Sequence, residues 1–159
     1  MQYYESKGLY LQEHKSYFTN AQTHREVIYL KKILKLSQKD KILDAACGHG
    51  RHALPVAKLG FNIEGVDSSK YLINLARIEA LRKKLKIVFH LQSLEKLSLR
   101  KKYSKIFLMF ADFGVMNGPL VIRKLAQHMD REGLLLLDVD SIYRLQRYFK
   151  KPSITLRIK

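Results

Sequence analysis

One short stretch of the chain, from Lys41 to Ala53, combines an acidic residue with glycines in a pattern that suits binding of a small polar molecule. Asp44 ends a short apolar run, and Gly48 and Gly50 come just before a predicted helix. Glycines let the backbone approach a ligand closely, and the start of a helix presents unpaired N–H groups. We therefore expect this stretch to form a ligand site.

A second carboxylate, Asp67, ends the next predicted strand. A carboxylate at that position can accept hydrogen bonds from both hydroxyls of a ribose. Asp67 therefore indicates a cofactor that contains adenosine. The alternative role of Asp67 is that of a helix N-cap beside Ser68.

The residues that could move a proton near this site are His49, His52 and Asp112. We expect His52 to order the glycine loop and Asp112 to shape the rim, so no general base is assigned. Cys47, His49 and His52 also suggest a metal site, but no fourth ligand follows at a zinc-like spacing. An ordinary glycine loop without a metal is the favoured interpretation.

Strand-like and helix-like segments alternate along the chain. This alternation predicts an α/β fold of three layers, with a mostly parallel central sheet and helices on both faces. The predicted strands begin at Lys41 and then span residues 61–66, 87–91, 106–110 and 134–139, with a terminal strand over 154–158. The predicted helices span residues 20–36, 51–59, 68–80, 118–129 and 142–148, and a turn is predicted over 130–133. Ser68 or Ser69 is expected to cap the third of these helices, whose predicted buried face is Leu72, Ile73, Ala76 and Ala80.

We expect a single domain over residues 1–159. Residues 1–19 would form an aromatic arm, packed on the core or acting as a lid, and residues 141–159 a short extension of the 20–140 core. In such a sheet, ligands bind beyond the carboxyl ends of the strands. Asp44, Asp67, Ser93 and Phe110 all lie at these strand ends, so we expect them to meet.

Three segments carry a resemblance to a known family: ILDAACGHGRHA, GVDSSKYLINLAR and LAQHMDREGLLLLDV. Over about residues 20–140 the chain resembles the class I S-adenosylmethionine-dependent methyltransferases, which implies a Rossmann-like fold and a methyl transfer from S-adenosylmethionine. The resemblance places the methionine end of the cofactor at Asp44, Gly48 and Gly50, and its ribose at Asp67. The whole set of cofactor-binding residues that it implies is Asp44, Ala46, Gly48, Gly50, Asp67, Ser68, Leu72, Ser93, Leu94 and Phe110.

Two departures from the family pattern leave alternatives open. The family often has an acidic residue at the position of Ser93, and only a short segment follows Asp140. A non-catalytic protein that retains the methyltransferase shell is therefore a second hypothesis. A dinucleotide oxidoreductase is a third, since Gly48, Gly50 and Ala53 match its glycine template, although four residues separate its first glycine from the strand.

The acceptor of the methyl group is predicted to be a small molecule. Cys47 lies within the cofactor loop, which is a poor position for the nucleophile of a pyrimidine methyltransferase. RNA is the alternative acceptor, supported by a basic C-terminal run that contains Arg144, Arg147, Lys150 and Lys151.

The chain of 159 residues has a formal net charge of +16. Many of the cations fall where a helix ends and a strand begins, and cations are stabilised at helix C-termini. We therefore expect most of this charge to be solvated, on the side of the sheet away from the ligand. A single cysteine and the absence of a long apolar run predict a cytoplasmic protein with no membrane partner.

Overall fold

A computed structural model describes residues 2–5, 9–16, 18–110 and 116–138. Its strands are β1 (Lys41–Ala45), β2 (Asn62–Asp67), β3 (Val88–Leu91), β4 (Tyr103–Leu108) and β5 (Met129–Leu137). Its helices are α1 (Gln2–Glu5), α2 (Leu9–Glu13), α3 (Asn20–Ile33), α4 (Ala53–Lys58), α5 (Lys70–Arg82) and α6 (Gly118–Gln127), with a short 3₁₀ helix at Leu94–Lys96.

The strands form one sheet in the order β3-β2-β1-β4-β5, and every neighbouring pair is parallel. The chain first runs outward from β1 to β3 and then crosses to the other side of β1 with β4. The order therefore reverses between β1 and β4, which is where sheets of this kind bind ligands. This arrangement confirms the predicted α/β fold with a Rossmann-like sheet.

Helices cover both faces of the sheet. One face carries α3, α4 and α5, whose buried side chains pack in a single cluster with Ile42, Ile63 and Phe107. The other face carries α6 and the 3₁₀ helix, which pack against Leu43, Val66 and other residues of the strands. The predicted buried face of α5 is confirmed, because its buried residues are Leu72, Ile73, Ala76 and Ala80.

Local sequence signals explain where the helices begin and end. Thr19, Ser69 and Asn117 each accept a hydrogen bond from a backbone N–H in the first turn of α3, α5 and α6. Such capping satisfies an N–H group that has no partner inside the helix. After α4, Gly60 takes a φ of 86°, a left-handed conformation that favours glycine and stops the helix there.

The bounds of two predicted strands were wrong. β4 spans Tyr103–Leu108, so Phe110 lies beyond its end rather than within it. β5 begins at Met129, and the residues predicted as a turn, 130–133, lie within it as an irregularity in its pairing with β4. Asp112, Tyr17, the predicted elements over 142–148 and 154–158, and the basic run from Arg144 to Lys151 lie outside the described residues.

The N-terminal arm packs against the first turn of α5. The Ser69 hydroxyl donates a hydrogen bond of 2.9 Å to the Tyr4 carbonyl, and α1 lies beside α5. Rings of Tyr3, Tyr4, Tyr10, His14 and Phe18 contact one another along the arm. No helix in the described part of the chain is long and apolar enough to cross a membrane.

Candidate cofactor-binding site

The loop after β1 turns sharply through residues in left-handed backbone conformations. Ala46, Gly48 and Gly50 have φ angles of 58°, 53° and 82°. A side chain at Gly50 would also be crowded, since a Cβ there would lie 3.2 Å from Cγ of Leu54. The loop is tied to the next strand, because the Cys47 N–H donates a 3.0 Å hydrogen bond to the Val66 carbonyl. The glycine pattern thus encodes the shape of this loop.

Asp44 is the innermost polar group of the site. It is 1% exposed, and its Oδ2 atom has no hydrogen-bond partner among the described residues. Burial raises the pKa of this carboxyl well above its ordinary value, and the nearby charge of Asp67 raises the pKa further. Leaving a buried carboxylate oxygen without a partner is costly. A ligand that donates a hydrogen bond to this atom would remove that cost.

Asp67 stands at the carboxyl end of β2, beside the glycine loop. Its Oδ2 accepts a hydrogen bond of 2.8 Å from the Gly48 N–H, and its Oδ1 accepts one of 2.8 Å from the Ser69 N–H. These two bonds fix the direction of the carboxylate. Ser69 is the N-cap of α5, whereas Ser68 is exposed. Of the two serines predicted as candidates for this cap, Ser69 therefore has the role.

The exits of β3 and β4 border the same crevice. Beyond β3, the Gln92 N–H donates a 3.0 Å hydrogen bond to the Asp67 carbonyl, which holds the two strand ends together. Ser93 follows as the N-cap of the 3₁₀ helix, and the Leu94 side chain is buried in the core. Leu94 can therefore contribute to a ligand site only through its backbone.

Beyond β4, Phe110 adopts a left-handed backbone with a φ of 54°, a conformation that L-residues with large side chains rarely adopt. Its N–H donates a 3.2 Å hydrogen bond to Asp138, at the exit of β5. Its ring lies edge-on to Phe18 of the N-terminal arm, with the ring centroids 5.5 Å apart. The arm and the exit of β4 therefore meet above the glycine loop.

A buried ion cluster joins the glycine loop to α3. The Arg51 guanidinium forms a close ion pair with Glu26, and the His52 Nε2 lies 2.8 Å from the same carboxylate. Burial by itself would raise the pKa of Glu26. The hydrogen bonds from His52 and Gln22 and the charge of Arg51 outweigh this effect and lower the pKa to about 2. Glu26 is therefore ionised at neutral pH.

Arg51 also contacts two rings. Its guanidinium carbon lies 5.1 Å from the ring centroid of Phe18 and 5.4 Å from that of Phe110. These are distances at which a cation is attracted to an aromatic face. Arg51 thus contacts the arm, α3 and the exit of β4 from its place in the loop.

The two histidines of the loop differ in their surroundings. The His49 ring packs 5.5 Å from that of Phe18, and burial lowers the pKa of His49 to about 4. Burial also lowers the pKa of His52, whose ring nitrogen is engaged by Glu26. The role expected of His52, to order the loop, agrees with this contact.

Comparison with known proteins identifies the family. A family model described as a methyltransferase domain matches residues 42–133, which include the glycine loop, Asp67 and most of the sheet. The chain belongs to the class I S-adenosylmethionine-dependent methyltransferases. The predicted resemblance is therefore confirmed, and the family model disfavours the dinucleotide oxidoreductase.

Individual methyltransferases support the same assignment. The chain is 31% identical over 118 residues to the ubiquinone biosynthesis O-methyltransferase of Rickettsia typhi, covering 72% of this chain and 48% of that protein. The chain therefore spans about half the length of this relative.

Two solved structures share the fold. An S-adenosylmethionine-dependent methyltransferase from Clostridium acetobutylicum has a TM-score of 0.68 at 20% identity, covering 82% of this chain and 55% of the other. Coclaurine N-methyltransferase, bound to N-methylheliamine and S-adenosylhomocysteine, has a TM-score of 0.67 at 22% identity, covering 73% and 35%. At these identities the likeness shows the fold alone.

The methyltransferase fold brings most of the predicted site residues together. Asp44, Gly48, Gly50 and Asp67 lie around one loop, and Leu72 lies below it, 3.8 Å from the position of a Cβ on Gly48. Sequence reasoning did not assign Arg51 or Glu26. One signal was available, since Glu26 is the single acidic residue in the predicted helix over 20–36.

The metal hypothesis gains no support from the methyltransferase loop. The described residues include no group of His, Cys, Asp and Glu side chains that could hold a metal ion. Cys47 is buried, and burial raises the pKa of its thiol well above the ordinary value. A protonated thiol is a poor metal ligand.

Proposed function

We propose that the chain binds S-adenosylmethionine in the crevice between β1, β2 and β4 and transfers its methyl group to a small-molecule acceptor. The observation that carries the proposal is the buried Oδ2 of Asp44, which lies at the switch point of the sheet and has no hydrogen-bond partner in the part of the chain that the structure describes. An amino group is a ligand of matching chemistry, because it donates hydrogen bonds and its charge favours an ionised carboxylate.

The remaining residues fit the other parts of this cofactor. Gly48 and Gly50 leave the backbone of the loop open to close approach. The Asp67 carboxylate, oriented by its two backbone hydrogen bonds, would accept from the ribose hydroxyls. Ser68, Leu72 and the backbone of Ser93 and Leu94 would border the adenine, and Ala46 and Phe110 would contact the methionine end.

S-Adenosylmethionine, when bound, supplies an electrophilic methyl carbon on a sulfonium sulfur. The protein's task is then to hold the acceptor in line with that carbon and to exclude water. Phe18, His49 and Phe110 offer apolar ring surface above the loop for this purpose. The low pKa of His49 keeps its ring neutral at physiological pH, so it adds no positive charge beside a sulfonium.

A small-molecule acceptor is supported by the relatives. The relative from Rickettsia typhi is an O-methyltransferase of ubiquinone biosynthesis, and the structurally similar coclaurine N-methyltransferase is bound to the small molecule N-methylheliamine. RNA as the acceptor, a cytoplasmic location and the single-domain organisation stay predictions from the sequence.

Calorimetric titration with S-adenosylmethionine tests cofactor binding. We expect the wild type to bind, and Asp67→Ala to lose at least about tenfold in affinity, since hydrogen bonds to a charged group are worth roughly 1.5–3 kcal/mol. Asp130→Ala is the matched control, because Asp130 is exposed and lies at the opposite end of the sheet. An Asp67→Ala variant that binds as well as the wild type would contradict the proposal.

Turnover separates the enzyme from a non-catalytic relative. The full chain is incubated with S-adenosylmethionine and a panel of small phenols and amines, and formation of S-adenosylhomocysteine is followed. Product with any acceptor supports the enzyme. Binding of the cofactor without product across the panel and with whole metabolite extract would favour a non-catalytic cofactor-binding protein.

A further inference from the structure

The amino-terminal edge of the sheet, opposite the cofactor crevice, carries an unusual density of positive charge. In a parallel sheet every connection from a helix to the following strand lies at this edge. The exposed cations of these connections and helix ends are Lys35, Lys39, Lys41, Lys58, Arg82, Lys83, Lys84, Lys86, Arg100, Lys101 and Lys102. We refer to this set as the basic edge.

Three acidic groups near the basic edge are already engaged, and two more, Asp130 and Glu132 at the start of β5, are exposed at the same end of the sheet. Asp40 accepts hydrogen bonds from Ser37 and Ser104. Glu79 pairs with Arg82 and Lys83. Of the basic edge, Lys101 pairs with a partly buried acid, Glu64. Apart from Arg82, Lys83 and Lys101, the members of the basic edge form no salt bridge among the described residues, so the edge retains an excess of positive charge.

Glu64 anchors part of this edge. Its carboxylate accepts hydrogen bonds from the Tyr103 hydroxyl at 2.9 Å and lies 2.7 Å from the His90 Nε2. Burial would raise the pKa of Glu64, but the hydrogen bonds of His90, Lys101 and Tyr103 and the charge of Lys101 lower it. The Lys101 ammonium is thereby held in place beside a cavity of about 210 Å³ that Lys41 also lines. Lys101 therefore has a defined, partly buried partner at this edge.

Aliphatic side chains stand among these cations at the same end of the molecule. Ile33 ends α3, Leu59 follows α4 and Leu81 lies in the last turn of α5. They are 46%, 52% and 80% exposed. Each of the three helices that share one face of the sheet thus presents an exposed aliphatic side chain next to lysine or arginine.

We propose that the basic edge, with Ile33, Leu59 and Leu81, is a docking surface for an anionic lipid bilayer. Cations attract the negative headgroups, and aliphatic side chains enter the boundary between headgroups and acyl chains. The proposal goes beyond the methyl transfer proposed above and revises the expectation of no membrane partner, which was based on spanning segments. It does not depend on the cofactor.

Two other occupants fit this surface less well. Nucleic acids are bound by cations together with aromatic and hydrogen-bonding side chains, which stack on bases or contact phosphates. The exposed apolar side chains at the ends of these helices are aliphatic. A second copy of the chain would bring two strongly positive surfaces together, which like-charge repulsion opposes.

Docking through the basic edge would fix the direction in which the cofactor crevice faces. The crevice lies at the carboxyl end of the strands and the basic edge at their amino end. A protein docked through the basic edge would therefore turn its cofactor site away from the bilayer, toward water. Docking and cofactor binding should be independent of each other.

Co-sedimentation of the full chain with lipid vesicles tests the proposal. We expect binding to phosphatidylcholine vesicles that contain phosphatidylglycerol and little binding to pure phosphatidylcholine. Each lysine neutralised should weaken the partitioning about fivefold, so Lys84→Gln with Lys86→Gln should lower it about 25-fold. The pair Leu59→Ser and Leu81→Ser should also lower it, because these side chains enter the bilayer boundary.

The matched control is Arg25→Gln with Lys70→Gln, which removes the same charge from the first half of α3 and the start of α5, at the carboxyl end of the sheet. This pair should leave partitioning within about twofold of the wild type. Unfolding by urea checks that each variant is folded. Equal binding to neutral and anionic vesicles, or equal losses for the control pair and the basic-edge pair, would overturn the proposal. A third result would also overturn it: the leucine variants bind vesicles like the wild type, while the protein binds a single-stranded RNA tightly and the lysine variants do not. That result would assign the edge to nucleic acid.

Discussion

At the scale of single residues, Asp44 is the most informative group of the protein. It is buried beneath the glycine loop, one of its oxygens has no hydrogen-bond partner among the described residues, and its pKa is raised by burial and by the charge of Asp67. A group of this kind lowers the stability of the empty fold. A ligand that pairs with the carboxylate would offset this cost, so a substitution of Asp44 should change stability and binding in opposite directions.

The substitution Asp44→Asn should weaken S-adenosylmethionine binding and leave the fold at least as stable at neutral pH. We expect a roughly ten- to hundredfold loss of affinity, because a charge-assisted hydrogen bond is worth roughly 1.5–3 kcal/mol. Calorimetric titration measures the affinity and urea unfolding the stability. Unchanged affinity would remove Asp44 from the site, and Asp130→Asn serves as the exposed control.

The pH dependence of stability follows from the same shift. The unfolded chain releases the Asp44 proton near the ordinary pKa, whereas the folded chain keeps it to a higher pH. The folded state thus binds more protons in this window, and the contribution of Asp44 to stability falls as pH rises through it. The Asp44→Asn variant should lack this fall, which urea unfolding from about pH 4 to about pH 8 measures.

At the scale of elements, the ion cluster of Glu26, Arg51 and His52 couples α3 to the glycine loop. The Glu26 side chain is 16% exposed and that of Arg51 is 8% exposed, so the pair is largely removed from water. Loss of one partner would leave a charge buried without compensation. The helix that precedes the sheet therefore helps to hold the loop that follows β1.

The substitution Glu26→Ala should lower the free energy of unfolding by about 3 kcal/mol, because it leaves Arg51 buried without its acid. Urea unfolding measures this loss. The matched control is Glu79→Ala on α5, where the acid pairs with Arg82 and Lys83 at the surface and should contribute little. Equal effects of the two substitutions would show that the Glu26 cluster is no more than a surface ion pair.

At the scale of the whole molecule, the order of the strands sets the position of the proposed ligand crevice. The sheet order β3-β2-β1-β4-β5 places the ends of β1 and β2 side by side and opens the crevice toward β4. Asp44 and Asp67 lie on neighbouring strands, and the loop of Gly48 and Gly50 lies between them. A ligand that contacts all of these elements should stabilise the entire fold.

S-Adenosylmethionine at about 100 times its dissociation constant should stabilise the protein by about 2.7 kcal/mol. For a chain of this size that raises the midpoint of thermal unfolding by roughly 5–10 °C. Differential scanning calorimetry measures the shift. NADH is the control ligand. A shift of the midpoint with NADH but none with S-adenosylmethionine would support the dinucleotide oxidoreductase instead.

Much of this arrangement is encoded locally. The alternation of apolar runs with amphipathic segments predicted the α/β layers, and the buried face of α5 was predicted residue by residue, because the helical period depends on near neighbours alone.

Other details were not predicted from local sequence. Ser69 rather than Ser68 caps α5, and β5 begins five residues before its predicted start. Strand ends depend on pairing with distant segments, and the 130–133 turn signal was overridden by pairing of Met129 with Tyr103.

The sequence by itself determined the class of fold, the family and the residues of the glycine loop with its two carboxylates, because these depend on short-range spacing. Only the tertiary structure decided which groups come together from distant parts of the chain. Glu26 with Arg51, Phe18 with Phe110, and the three helix ends that contribute to the basic edge are separated in sequence. Their contacts and their shared surface exist because the parallel sheet places the ends of its helices and strands at two common edges.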